Sequence, residues 1–204
     1  MQYQVVGELP VLNTSRLSLQ IAGPETAERC AQFNRENADF LAPWEPVVIS
    51  TSADVAGLRA YRERAVNEAR AGASFSFAIY PASPQADSPI LGWLNLTNVI
   101  RGVFEACNMG YKLDGRMQGQ GYMTEAATAG IEFAFDVLNL HRIMAAYMPH
   151  NQRSAAVLRR LGFTTEGIAR DYLYIAGGWR DHVLTSLVNP DATIPGSSRP
   201  APRV

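Results

Sequence analysis

Apolar residues along this chain recur at two spacings, and the alternation between them outlines the fold. From Thr14 to Ile21, Leu17, Leu19 and Ile21 alternate with polar neighbours, the two-residue period of a half-buried strand. A helix is predicted to begin near Pro24, which suits a first helical turn, with Glu25 and Glu28 complementing the dipole; Phe40 to Pro46 breaks it. Ser52 or Asp54 can cap a second helix that carries Val55, Leu58, Tyr61, Ala65 and Val66 on one stripe and ends near Gly72. Phe75, Phe77 and Ile79 then alternate. Pro81 to Pro89 is a loop by composition, and Ile90 to Ile100 resumes as a strand, which predicts an antiparallel hairpin.

A strand-like run from Ala106 to Leu113 leads through a glycine-rich turn into a helix whose Met123, Ala127, Gly130, Ile131, Ala134 and Leu138 share a stripe, away from Glu125, Thr128 and Glu132. The strand His141 to Met148 follows, and a strand, helix, strand connection of this length implies parallel pairing with a right-handed crossover. Asn151 caps a short helix to Leu161, and strands at Thr164 to Ala176 and Trp179 to Leu187 meet at Gly177-Gly178, a hairpin turn.

Composition narrows the class. The chain has 204 residues, of which 47% are hydrophobic and 18% charged, enough for one domain with a sizeable core, expected over 1–188. Residues 189–204, rich in Pro, Ser and Arg, are expected to form a flexible tail. A net charge of −1 gives no electrostatic case for binding nucleic acid or an anionic membrane. Cys30 and Cys107 are isolated, so neither a disulfide framework nor a zinc cluster is indicated, and no metal is expected. Met1 to Pro10 lacks a basic start and a long apolar run, and no stretch reaches roughly 18 apolar residues; the expectation is a soluble cytoplasmic protein.

The chemistry concentrates in Arg116-Met117-Gln118-Gly119-Gln120-Gly121-Tyr122, between strand and helix. Two glycines one residue apart let backbone N–H groups converge, and the helix adds its unpaired N-terminal donors and positive dipole end, so a pyrophosphate can sit there. The nucleoside-triphosphate loop fails, because no lysine follows either glycine. The dinucleotide fingerprint fails too, because Thr124 stands where its third glycine belongs and the next strand runs into Pro149-His150 without an acidic end. A third pattern, Arg/Gln-x-x-Gly-x-Gly/Ala, is satisfied by Arg116, Gly119 and Gly121.

That third pattern resembles the acyl-coenzyme A loop of the GNAT N-acetyltransferases, and the likeness continues through His141 to Tyr147, Asn151-Gln152-Arg153-Ser154 and Leu158 to Phe163. Thr14 to Leu19, Phe40 to Pro46 and Gly177 to His182 are similar to the branch that acetylates the N-terminal alanine of ribosomal proteins, the RimJ type, so the resemblance runs from about Thr14 to Leu187. It implies an α/β fold with a mixed, mostly antiparallel sheet splayed at one parallel pair, acetyl-coenzyme A in the splay, and direct transfer to the N-terminal amine of a protein. It also implies that a bulge over Asn108, Met109, Gly110 and Tyr111 meets the thioester and pantetheine. Met117, Gln118, Gln120 and Tyr122 complete the cofactor loop, with Asn151 as a pantetheine contact and Arg153, Arg159 and Arg160 as candidates for the ribose phosphate.

Acetyl transfer requires a neutral amine, a polarised carbonyl and a proton for the leaving thiolate. By the same resemblance Glu105, at the start of its strand, is the first candidate base, acting through water, and Ser154 is the proton donor. His150 is the rival base because an imidazole of pKa about 6.5 suits neutral pH. Phe40, Trp44, Trp93, Tyr172 and Tyr174 are candidates for the acceptor side, with Asp171 as anchor for a cationic amine. Two other functions stay open: an acetyltransferase for a small amine, amino acid or antibiotic, and a non-catalytic acyl-coenzyme A module. The sequence does not choose between a monomer and a homodimer.

Overall fold

The computed structural model describes residues 2–6, 8–46 and 54–192. Among them, nine strands form one sheet: β1 (Gln2–Val6), β2 (Leu9–Asn13), β3 (Leu17–Ile21), β4 (Phe75–Pro81), β5 (Gly92–Ile100), β6 (Ala106–Leu113), β7 (Arg142–Tyr147), β8 (Thr164–Ile175) and β9 (Gly178–Val188). Their spatial order is β1-β2-β3-β4-β5-β6-β7-β9-β8. Every neighbouring pair is antiparallel except β6 and β7, which run parallel.

The helices are α1 (Ala27–Leu41), entered through a 3-10 turn at Pro24–Thr26, α2 (Val55–Arg70), α3 (Tyr122–Glu132) and α4 (Gln152–Arg160). Asp54 caps α2 by accepting the Gly57 N–H at 2.7 Å; Ser52, the alternative cap, lies outside the described residues. Asn151 caps α4 by accepting the Ser154 N–H at 3.0 Å.

Helices α3 and α4 cover one face of the sheet, where Leu17, Leu19, Phe77, Leu94, Ile143 and Leu158 are fully or almost fully buried. Helices α1 and α2 cover the other, over Ala78, Tyr80 and Trp93. Strand β4 is buried on both sides, so both halves of its alternation are core. Helix α3 lies close on the sheet at Gly130, where an added Cβ would stand 2.4 Å from Leu94 Cδ2. Beyond Glu132 the helix widens into a π-helical turn, Phe133–Val137, with the Leu138 N–H donated to the Phe133 carbonyl at 3.0 Å.

Several sequence expectations change. Strand β3 starts at Leu17 rather than Thr14, because Thr14 closes a local turn in which its hydroxyl accepts the Leu17 N–H and the Glu125 carboxylate takes the Thr14, Ser15 and Arg16 donors. Glu125 therefore ties α3 to the β2–β3 turn. Strands β1 and β2 are additional to the predicted set. On α2 Tyr61 is exposed and Arg62 is buried in its place, its guanidinium 4.4 Å from both the Tyr61 and Trp93 ring centroids. At the predicted tail Asn189 donates its N–H to the His141 carbonyl at 2.8 Å, and residues 193–204 lie outside the described residues. No helix among the described residues is long and apolar enough to cross a membrane.

Candidate active site

The site follows from a short seam. Strands β6 and β7 pair only through Ala106, Cys107 and Asn108 against Arg142, Ile143 and Met144. Beyond that β7 stays with β9, pairing as far as Tyr147 with Val183, while β6 stays with β5, so the sheet opens between the two halves. A cleft of about 630 Å³ occupies the opening. Its β6 wall is Gly110, Tyr111, Lys112 and Leu113; its opposite wall is the segment from His150 to Ser154 with Val157. Phe40, Trp44 and Glu45 close it from the end of α1.

The glycine-rich turn lies at one end. Gly119 and Gly121 adopt φ of +74° and +80°, a region costly for side-chain-bearing residues. Gly121 is the N-cap of α3 and supplies no side-chain cap, so the first N–H groups of the helix keep their hydrogen-bonding capacity. The Arg16 guanidinium donates to the Gln120 carbonyl at 3.0 Å and lies over the Tyr122 ring, which fixes the turn from outside. Gln118 reaches the cleft, and Gln120 folds back to the Arg116 carbonyl. Met117 and Tyr122 pack partly against the core. The Arg116 guanidinium binds both oxygens of Asp114 and also Glu36. Asp114, buried and further held by Asn37 on α1, is pulled down to about 2 by the Arg116 guanidinium. The Arg–Asp pair thus braces the loop.

On the β6 wall an added Cβ at Gly110 would meet nothing within 4 Å, so the strand presents bare backbone to the opening. Tyr111 Oη lies 2.9 Å from Ser154 Oγ, and burial pushes the phenol up to about 12, so the tyrosine keeps its proton at neutral pH. Arg153 lies over the Phe40 ring at 5.7 Å, and Trp44 tilts against His150 at 5.3 Å.

The cleft therefore gathers Phe40, Trp44, Gly110, Tyr111, Gln118, His150, Asn151, Arg153 and Ser154 from the expected set. It does not gather the rest. Glu105 is buried at the far end of β6, five residues and about 17 Å of strand from Gly110, where it accepts the Arg101 guanidinium at 3.0 Å and the Gly102 N–H at 2.8 Å. It organises a turn. The bulge falls on β5 between Thr97 and Ile100 rather than over Asn108 to Tyr111, whose pairing with β5 is regular. Met109 is core, Asn108 belongs to the seam, and Trp93 is buried under α1 and α2. Asp171, Tyr172 and Tyr174 are exposed on β8 and are not among the residues that line the cleft. Sequence reasoning missed Asn95, Lys112 and Glu45, all in the lining. Asp114-Gly115, an Asx-turn pair, was the available signal for the loop brace.

A valine at Gly121 combines positive φ with a branched side chain facing Arg16, whose Nη2 stands 3.5 Å from the added Cβ. Gly121→Val is expected to weaken acetyl-coenzyme A binding at least tenfold, about 1.4 kcal/mol. Unchanged affinity in a folded variant, measured by calorimetry, would sink this account of the loop.

The split at one parallel pair thus lies beside a glycine turn that heads α3, with the Tyr111 and Ser154 hydroxyls in the lining of the opening. The family profile described as acetyltransferase (GNAT) domain matches residues 16–164. The chain belongs to the GNAT acetyltransferase family. It is 45% identical over 183 residues to the [ribosomal protein uS5]-alanine N-acetyltransferase of Escherichia coli (strain K12), covering 89% of this chain and 92% of that protein. The crystal structure of the ribosomal-protein-S5-alanine acetyltransferase of Vibrio fischeri superposes with a TM-score of 0.84 at 35% identity, over 90% of this chain and 98% of that one. Mycobacterium smegmatis RimJ in complex with CoA-disulfide gives 0.77 at 29%, over 84% and 81%.

Proposed function

We propose that the protein transfers the acetyl group of acetyl-coenzyme A to the N-terminal α-amine of a ribosomal protein beginning with alanine, in the cytoplasm. The observation that carries this reading is the likeness to the Escherichia coli uS5 enzyme across almost the whole of both chains. The donor set fits the cofactor: the Gly119–Gly121 turn and the α3 N-terminus suit the pyrophosphate, bare backbone at Gly110 and the Asn151 side suit the pantetheine arm, and Arg153 is a cation beside them. The thioester supplies the activated acetyl group. Ser154 Oγ holds a proton inside the cleft, and Tyr111 Oη, 2.9 Å away, can replace it. His150 is the candidate base within the lining, taking the place first given to Glu105.

The test is a turnover screen of alanine-starting peptides against small amines with acetyl-coenzyme A. Turnover of the peptides is expected. Turnover of small amines alone would assign the protein to small-molecule acetylation, and cofactor binding without turnover of any amine would make it a binding module.

A further inference from the structure

The described residues after α1, 42–46, lie at the cleft and are fastened on both sides. The Glu45 carbonyl accepts the N–H of Ala176, next to the β8–β9 turn, at 3.0 Å, and the Glu45 carboxylate meets Lys112 Nζ on β6 at 2.6 Å. Both side chains are partly desolvated, 31% and 26% exposed. Glu45 is the one carboxylate in the cleft lining among the described residues. Lys112 engages Oε1, and among the described residues no donor is placed on Oε2, which can accept a further hydrogen bond.

An isolated carboxylate in such a place would bind an amine in its wrong state. It would stabilise the ammonium, raise its pKa and hide the lone pair that must attack. A carboxylate already neutralised by a lysine behaves differently: it still accepts an N–H hydrogen bond, while the lysine's charge disfavours a second cation beside it. Resting on the reading that the acceptor is a peptide α-amine, we propose that Glu45, charge-compensated by Lys112, receives that amine in its neutral form and positions it in the cleft. The other charged or titratable groups of the lining are Tyr111 on β6, His150 in the turn between β7 and α4, and Arg153 on α4.

The experiment compares wild-type protein, Glu45→Gln, Glu45→Asp and Lys112→Met with an alanine-starting peptide across pH, with acetyl-coenzyme A affinity measured by calorimetry. Glu45→Gln is expected to raise the peptide KM at least tenfold with cofactor affinity unchanged, and Glu45→Asp to restore part of it. Lys112→Met leaves the carboxylate uncompensated and is expected to move the acid limb of the kcat profile upward by half a pH unit or more, a shift that loss of a loop anchor would not produce. Wild-type peptide KM in Glu45→Gln, or an unshifted acid limb in Lys112→Met, would overturn the proposal while leaving the peptide reading intact. Absence of peptide turnover by the wild-type protein would overturn both.

Discussion

A peptide that begins with alanine and carries one internal lysine is expected to be acetylated at its α-amine, with little product at the lysine. An amine attacks only when neutral. Neutralising a lysine side chain of pKa about 10.4 at pH 7 costs roughly 4.6 kcal/mol, whereas an α-amine of pKa about 7.8 costs roughly 1.1. The difference of about 3.5 kcal/mol is about 400-fold in neutral amine at equal concentration. A lysine acetyltransferase must supply that difference with a strong buried base. Here the first candidate base, Glu105, is committed to Arg101 and Gly102 outside the cleft, and the lining offers His150 and a lysine-paired Glu45. Mass spectrometry of the single peptide after incubation with protein and acetyl-coenzyme A reads both sites at once. Product mainly on the lysine would reverse the assignment.

Phe133→Ala should cost more stability than any surface change, about 3–5 kcal/mol. The ring is 2% exposed and meets Phe75 edge-on at 5.1 Å and Phe77 edge-on at 5.7 Å, so truncation removes one member of an aromatic trio at the centre of the α3 face. Its backbone also opens the π-helical turn, so the surroundings cannot collapse inward without disturbing the end of the helix. For a chain of this size the thermal midpoint should fall by roughly 6–20 °C. A calorimetric midpoint within about 2 °C of wild type would show that the site repacks.

Much of the architecture was legible because it is encoded locally. The run Ala106 to Leu113, the Asn151 cap and the Gly177-Gly178 turn each carry their own signal in a few residues, and a single helix between two strands implied the parallel pair. The short strand Leu9–Asn13 was not legible, since Pro10 and one fully buried leucine make too little alternation to read. The inward turn of Arg62 depends on two rings, one of them on β5, that a helical stripe cannot show. The site was harder for the same reason. Period two divides β5 and β6 into two faces without saying where β6 parts from β7, so it does not tell which residues of β6 face the opening. The pairing of Glu45 with Lys112 joins residues far apart in the chain and leaves no trace in either neighbourhood.

The brevity of the β6–β7 seam bears on how this protein holds together. Three residues a side, flanked by the Glu105 carbonyl that accepts the His141 and Arg142 N–H groups, carry the backbone ladder between its two halves, and the remaining edge of β6 faces the cleft without a strand beside it. A ligand whose arm lies along that edge takes the place of the absent strand. By mass action a ligand at about a hundred times its dissociation constant adds roughly 2.7 kcal/mol to folding. That is a sizeable share of a typical domain's net stability of about 5–15 kcal/mol. A coenzyme bound along that edge would belong to the sheet as much as to the reaction, and the fold's resistance to opening would rise and fall with the supply of its own substrate.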